Sequence, residues 1–177
     1  KDLENIKEKY RNLYTYTALL DLYIETYSYT GMDEYLEEAI DKYNYIRLRF
    51  RDKSGAFRDV IDLEFSDIIR RPFKVNSELA NTLIKLYHLT DDDRFRKDAY
   101  EILRYYSTLY PRHGYDIGLY GDALDSYLHG LAVLRIHGYK RIPQKIIKIL
   151  KPFILYRWER EGRSIEYIDK EVRLKLV

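Results

Sequence analysis

Apolar residues recur along the start of the chain at alternating three- and four-residue steps: Leu3, Ile6, Tyr10, Leu13, Thr17, Leu20, Ile24 and Tyr27. This rhythm predicts one long amphipathic helix. Gly31 is placed to end it in the left-handed conformation, and Asp33 to cap the helix that follows. The second helix carries Tyr35, Ala39, Tyr43, Ile46 and Phe50 on its inner face. A turn this short leaves the two helices no choice but to pack antiparallel. From Asp52 to Lys74 the rhythm is lost. Lys53-Ser54-Gly55 offers a turn and Arg71-Pro72 bars a helix from running through, which predicts a long loop or a short hairpin. Asn76 or Ser77 is then the expected cap of a third helix bearing Leu79, Leu83, Leu86 and Tyr87. A fourth helix bears Phe95, Ala99, Ile102, Tyr106 and Leu109, and a fifth runs from Asp116 or Leu119 to Leu128.

The second helix pair repeats the first. An offset of 60 residues aligns Tyr23 with Leu83, Ile24 with Ile84, Tyr27 with Tyr87, Thr30 with Thr90, Asp33 with Asp93, Tyr35 with Phe95, Ala39 with Ala99 and Tyr45 with Tyr105. Agreement extends through the turn as well as both helices, which points to a true repeat. After Gly130 the pattern changes. Leu131 to Ile136 reads as a strand, Pro143 to Leu150 as a short helix and Phe153 to Trp158 as another strand. Val172, Leu174 and Leu176 alternate with Arg173 and Lys175 in a last strand. A strand, crossover helix and strand favour a right-handed parallel pair if the strands lie side by side. The predicted architecture is therefore mainly α. Antiparallel hairpins fill residues 1–130, and a small basic α/β tail fills 131–177.

Composition narrows the class. The 177 residues are 46% hydrophobic and 34% charged with 8 Gly and 4 Pro, which suits a packed core rather than disorder. Without cysteine, disulfides and thiolate chemistry are excluded for this chain. No apolar run approaches a membrane span, so a soluble cytoplasmic chain is expected. The abundance of Lys, Arg, Glu, Ile and Tyr resembles that of proteins from hot environments. The net charge of +2 hides an asymmetry. Residues 131–177 hold 12 Lys and Arg against 5 Asp and Glu, whereas the remainder holds 19 against 24. A basic segment of this kind meets an acidic partner, a nucleic acid, or the acidic remainder of its own chain.

A set of short runs recurs in one order: Leu22-Tyr23, Thr30 to Leu36, Gly55-Ala56-Phe57-Arg58-Asp59, Arg71-Pro72, Asn76-Ser77, Leu89 to Asp92 and Ala123-Leu124-Asp125. That order resembles the C-terminal helical part of the YyaL-like, thioredoxin-domain-containing proteins. Their toroid is similar to those of N-acylglucosamine 2-epimerases and six-hairpin glycosidases. The resemblance covers residues 10 to about 130 and implies part of an (α/α) toroid, the closing third of a larger protein. It departs from the pattern at Asp91, where glycine is usual, and two and a half hairpins are too few to close a ring of six. The partners it implies are upstream domains of a longer chain or another subunit, with a sugar as the ligand and carbohydrate metabolism as the setting.

Candidate chemistry centres on the loop and helix starts. Asp59, Asp62, Glu64 and Asp67 with Arg70 and Arg71 could divide acid and base roles, although a solvated loop with local ion pairs has the same composition. Asn76 and Glu78 are either pocket-facing groups or a cap with its dipole compensation. Tyr120 with Asp122 and Asp125 could line a sugar cleft, or simply pack. The candidate pocket is thus Asp59, Asp62, Arg71, Asn76, Glu78, Tyr120 and Asp122. Asp91-Asp92-Asp93 reads as helix-start acidity. The four histidines lack a metal-ligand spacing, so no metal and no cofactor is expected. Arg157, Trp158, Arg160 and Arg163 interleave cations with an aromatic as single-strand nucleic-acid grooves do, but a solvated or intramolecular surface is the preferred reading. The resulting expectation is a helical module that is not catalytic by itself. The alternative is a carbohydrate-active domain completed by missing hairpins or another subunit.

Overall fold

The computed structural model describes residues 12–59, 69–139, 154–162, 164–169 and 172–175. Among these residues five helices come first: α1 (Leu13–Thr30), α2 (Asp33–Phe50), α3 (Phe73–Thr90), α4 (Asp93–Tyr106) and α5 (Ile117–His129). Two short 3-10 turns, Tyr110–Arg112 and Gly114–Asp116, join α4 to α5. Four strands follow: β1 (Val133–His137), β2 (Leu155–Glu159), β3 (Ser164–Asp169) and β4 (Val172–Lys175). No helix among the described residues is long and apolar enough to cross a membrane.

The 60-residue offset is realised in the backbone. Leu13 and Phe73 start equivalent helices, Thr30 and Thr90 end them, and Asp33 and Asp93 start the next pair. Both first helices close on a left-handed residue, Gly31 at φ 69° and Asp91 at φ 58°, each donating its backbone N–H to the tyrosine carbonyl four residues earlier. Within each hairpin the helices pack on one another. α1 packs on α3 and α3 on α5, so the first helices of successive hairpins form a row. Leu20, Ile24, Tyr43, Ile46, Leu79, Leu83, Phe95 and Ile102 fill the core between the layers.

Several expected boundaries move. The apolar stripe from Leu3 is not one continuous helix. Asn12 is extended, and its side chain caps α1 by accepting from Thr15 N at 2.9 Å; the earlier part lies outside the described residues. Asp33 does not cap α2, because Met32 holds that position and Asp33 is already helical. Asn76 and Ser77 do not cap α3, which begins at Phe73 behind Pro72. Proline's fixed φ suits a helix start, where its missing N–H would have no partner. The fourth helix ends at Tyr106, short of Leu109.

The sheet has the order β2-β1-β3-β4. β1 pairs in parallel with β2, as a strand–crossover–strand reading requires, with Val133 opposite Leu155 and His137 opposite Glu159. β3, which the alternation does not reveal, pairs antiparallel with β1 and then with β4. The expected helix at 143–150 lies outside the described residues. β2 seats the sheet on the helices. Trp158 Nε1 donates to the Ser28 carbonyl at 2.9 Å and Arg157 Nη1 to the His88 carbonyl at 3.2 Å. Ser28 and His88 are repeat equivalents, so adjacent residues of one strand cap the same carbonyl in both hairpins.

Candidate functional site

The loop behind the first hairpin is built as a small anchored turn. Asp52 N donates to the Ala56 carbonyl, Arg58 N to the Phe50 carbonyl, and Arg51 bridges Phe57. Gly55 has φ 91°, and a side chain there would press on Glu101. The turn is clamped from α3 by Asn76, which is fully buried. Its Oδ1 accepts from Phe57 N at 2.8 Å, and its Nδ2 donates to the carbonyls of Phe57 at 2.9 Å and Pro72 at 3.0 Å. With every polar atom of its amide occupied by backbone, Asn76 holds structure and has no group left for a ligand.

The other predicted residues do not converge on it. Arg71 Nε binds Asp52, and its carbonyl accepts from Tyr106 Oη at 2.9 Å. Burial alone would raise the Asp52 carboxyl, but hydrogen bonds from Ser54 and Arg71 outweigh it and hold the group below its ordinary value. Asp59 is half-buried and uses its backbone, donating to the Arg70 carbonyl and accepting from Leu13 N. Tyr120 is buried under Tyr110 and Phe73 and donates its hydroxyl to the Leu103 carbonyl at 3.0 Å. Asp122 is exposed on α5. Asp62 lies outside the described residues.

Glu78 leads to a polar seam between α1 and α3. Lys85 Nζ donates to Asp21 at 2.9 Å and to Glu25 at 2.6 Å, and Thr82 Oγ1 donates to Asp21 at 3.3 Å. Burial would lower the Lys85 ammonium, yet the two carboxylates raise it on balance. Glu78 is pushed up by burial, helped by Asp116 and Asp21 and opposed by Lys74. Asp21, Glu25 and Lys85 are missing from the sequence-derived set. Their signal was present in the repeat, because the 60-residue offset lays Glu25 on Lys85, opposite charges at equivalent positions of neighbouring helices.

A second polar centre ties α2 to α4. Asp98 is only 2% exposed; its Oδ2 accepts from Tyr43 Oη and Arg47 Nε, and its Oδ1 from Arg51 Nη1, each at 2.9 Å. Burial, then Asp98, pushes the Tyr43 hydroxyl far up, so it stays a donor.

The basic tail meets its own chain. Arg157 pairs with Asp91 at 2.7 Å, Arg160 with Asp33, and Trp158 lies against Gly31. Arg157 and Arg160 are thus each engaged in an intramolecular ion pair; Arg163 is outside the described residues. Comparison with protein-family models and with curated proteins returns no match.

Proposed function

We propose that this chain is an assembly module, two and a half hairpins of an (α/α) toroid, which works by packing against a further hairpin of the same kind and is not catalytic alone. The carrying observation is the outer stripe of α1, where Tyr14, Leu22 and Tyr29 are 56%, 57% and 71% exposed. Their exposure is anomalous against the repeat. Thr82 and Leu89, the α3 equivalents of Leu22 and Tyr29, are buried, and Thr82 meets α1 through Asp21. Among the described residues the row of first helices therefore has a finished joint between α1 and α3 and an apolar one at α1 that no other helix covers, Tyr29 meeting only the Tyr156 ring of β2 at its edge. Such a row, with second helices behind it, is what the likeness to thioredoxin-domain-containing proteins implies, and upstream domains or another subunit are the corresponding partners.

The carbohydrate-active alternative is favoured by the polar seam itself, where Thr82 links the Glu78 carbonyl to Asp21 and burial with Asp116 and Asp21 pushes the Glu78 carboxyl up. A sugar pocket there would need walls from other hairpins.

Light scattering across a concentration series tests the module reading. The parent chain should self-associate through the uncovered stripe, and Leu22→Glu with Tyr29→Glu should make it monomeric with an unchanged melting temperature. A parent that stays monomeric at high concentration would end the proposal. Saturable binding of a monosaccharide panel, lost in Glu78→Gln, would favour the alternative.

A further inference from the structure

The anchored turn and the end of α2 form a shallow, open cleft of about 450 Å³ whose described lining is Arg47, Arg51, Lys53, Arg58 and one carboxylate, Asp52. Between positions 47 and 58 the sequence places five cations and that single acid. Compensation of the α2 dipole accounts for Arg47 and Arg49 in the last turn. It does not account for Lys53 and Arg58, which lie beyond the helix.

The described acids that touch the cleft, its cations or its turn are already committed. Asp52 gives one oxygen to Ser54 and the other to Arg71, a residue outside the cleft lining. Asp98 is buried and shared by Arg47 and Arg51, so one carboxylate serves two guanidinium groups. Glu101, beside Gly55, is turned to Arg104 at 2.6 Å. Lys53 is exposed and has no ion pair among the described residues. Arg58 spends Nη2 on the Arg49 carbonyl at 3.1 Å, while its buried Nε has no partner. Among the described residues, the four lining cations, less the one that Asp98 matches, leave three positive charges on a scaffold held by the Arg51–Phe57 bridge and the Asn76 clamp.

We propose that this cleft binds a phosphate group of a small molecule, a diphosphate better than a monophosphate. Guanidinium forks match the paired oxygens of phosphate, and Lys53 adds a mobile point charge at the rim. A phosphate monoester carries about −1.5 to −2 at neutral pH and a diphosphate more, which suits three unmatched cations better than a monocarboxylate does. Because Asp98 pins two of the arginines, their remaining N–H groups are oriented before the anion arrives, and little ordering is needed on binding.

The test is titration of the whole chain with inorganic pyrophosphate, and separately with inorganic phosphate, followed by proton–nitrogen NMR that includes arginine Nε–H signals. Saturable shifts are expected in the turn around Lys53 to Arg58, with pyrophosphate the tighter of the two. Lys53→Gln with Arg58→Gln should weaken binding about tenfold or more, whereas Arg160→Gln on the tail should not. Lys53→Gln alone, at an exposed position, supplies the comparison if the double variant is poorly folded. Shifts that sodium chloride reproduces at equal ionic strength, or that persist unchanged in these variants, would overturn the site. So would pyrophosphate binding that maps to the tail. None of these results depends on the α1 stripe.

Discussion

Single side chains in this protein are decided by which backbone groups they must satisfy. Asn76 carries the clearest example, since its amide, fully buried, closes three hydrogen bonds to the backbone of Phe57 and Pro72. Asn76→Ala should cost about 3 kcal/mol, because the buried Phe57 N–H and carbonyl lose their partner together; urea unfolding would show a lower midpoint at unchanged slope. An asparagine ahead of an apolar run is a fair cap from sequence, and the misplacement arose because Pro72 had already set the helix start. Asp98 was legible in principle, lying with Phe95 and Ile102 on a helical face, but nothing local identifies its partners 47 and 51 positions away. His88 supplies a pH-dependent contribution. Burial holds its imidazole below the ordinary value, only partly opposed by Asp91, with Arg96, Arg157 and Arg135 adding to the depression. Its Nε2 accepts from Leu131 N at 3.3 Å, a role open only to the neutral ring. Above the unfolded value the ring is neutral in both states and the stabilisation is complete. As pH falls, the unfolded chain takes the proton first, so stability drops until the folded pKa is reached. Melting temperature should therefore decline as pH falls through the ordinary imidazole value of about 6.5 and below it, and His88→Gln should flatten part of that slope.

Among the elements, the hairpins were readable because their information is local: period, turn and cap lie within a few residues of one another. The 60-residue repeat added register, and it holds down to the left-handed residues that end α1 and α3. Those two positions make opposite demands. A Cβ on Gly31 would come within 2.7 Å of Trp158, and the φ of 69° disfavours any side chain, so Gly31→Ala should destabilise by at least about 2 kcal/mol. At Asp91 the same backbone already carries a side chain, stabilised by Arg157. Asp91→Gly relieves about 1 kcal/mol of left-handed strain and loses a half-exposed ion pair of similar size, so it should fall within about 1 kcal/mol of the parent. Thermal melts of the two variants side by side separate a glycine required by a neighbour from one that is merely usual. β3 escaped notice for the reverse reason. Ser164–Asp169 alternates weakly, and its pairing with β1 comes from a segment some 30 positions earlier.

For the whole molecule the question is whether the sheet and the helices stand or fall together. The tail's excess charge was visible in the sequence, but its destination was not, since Arg157 reaches Asp91 and Arg160 reaches Asp33 across long stretches of chain. These pairs, with Trp158 and Arg157 closing equivalent carbonyls of α1 and α3, place the strongest links between sheet and helices in one strand. Tyr156 N adds a bond to Ser28 Oγ at 2.9 Å, and Tyr27 Oη one to the Trp158 carbonyl at 3.3 Å. Opening that joint would strand the helix-end carbonyls of Ser28 and His88 and expose the indole, so neither half loses it cheaply. Trp158 is the protein's single tryptophan and sits at the joint itself. Its fluorescence therefore reports the joint, while far-UV circular dichroism is dominated by the helices. The two melting curves should coincide, as one cooperative transition requires. In Arg157→Ala, which removes the cap on His88 and the pair with Asp91, both should move down together. A fluorescence change that precedes helix loss would instead make the sheet a separate folding unit, docked on hairpins that are stable without it.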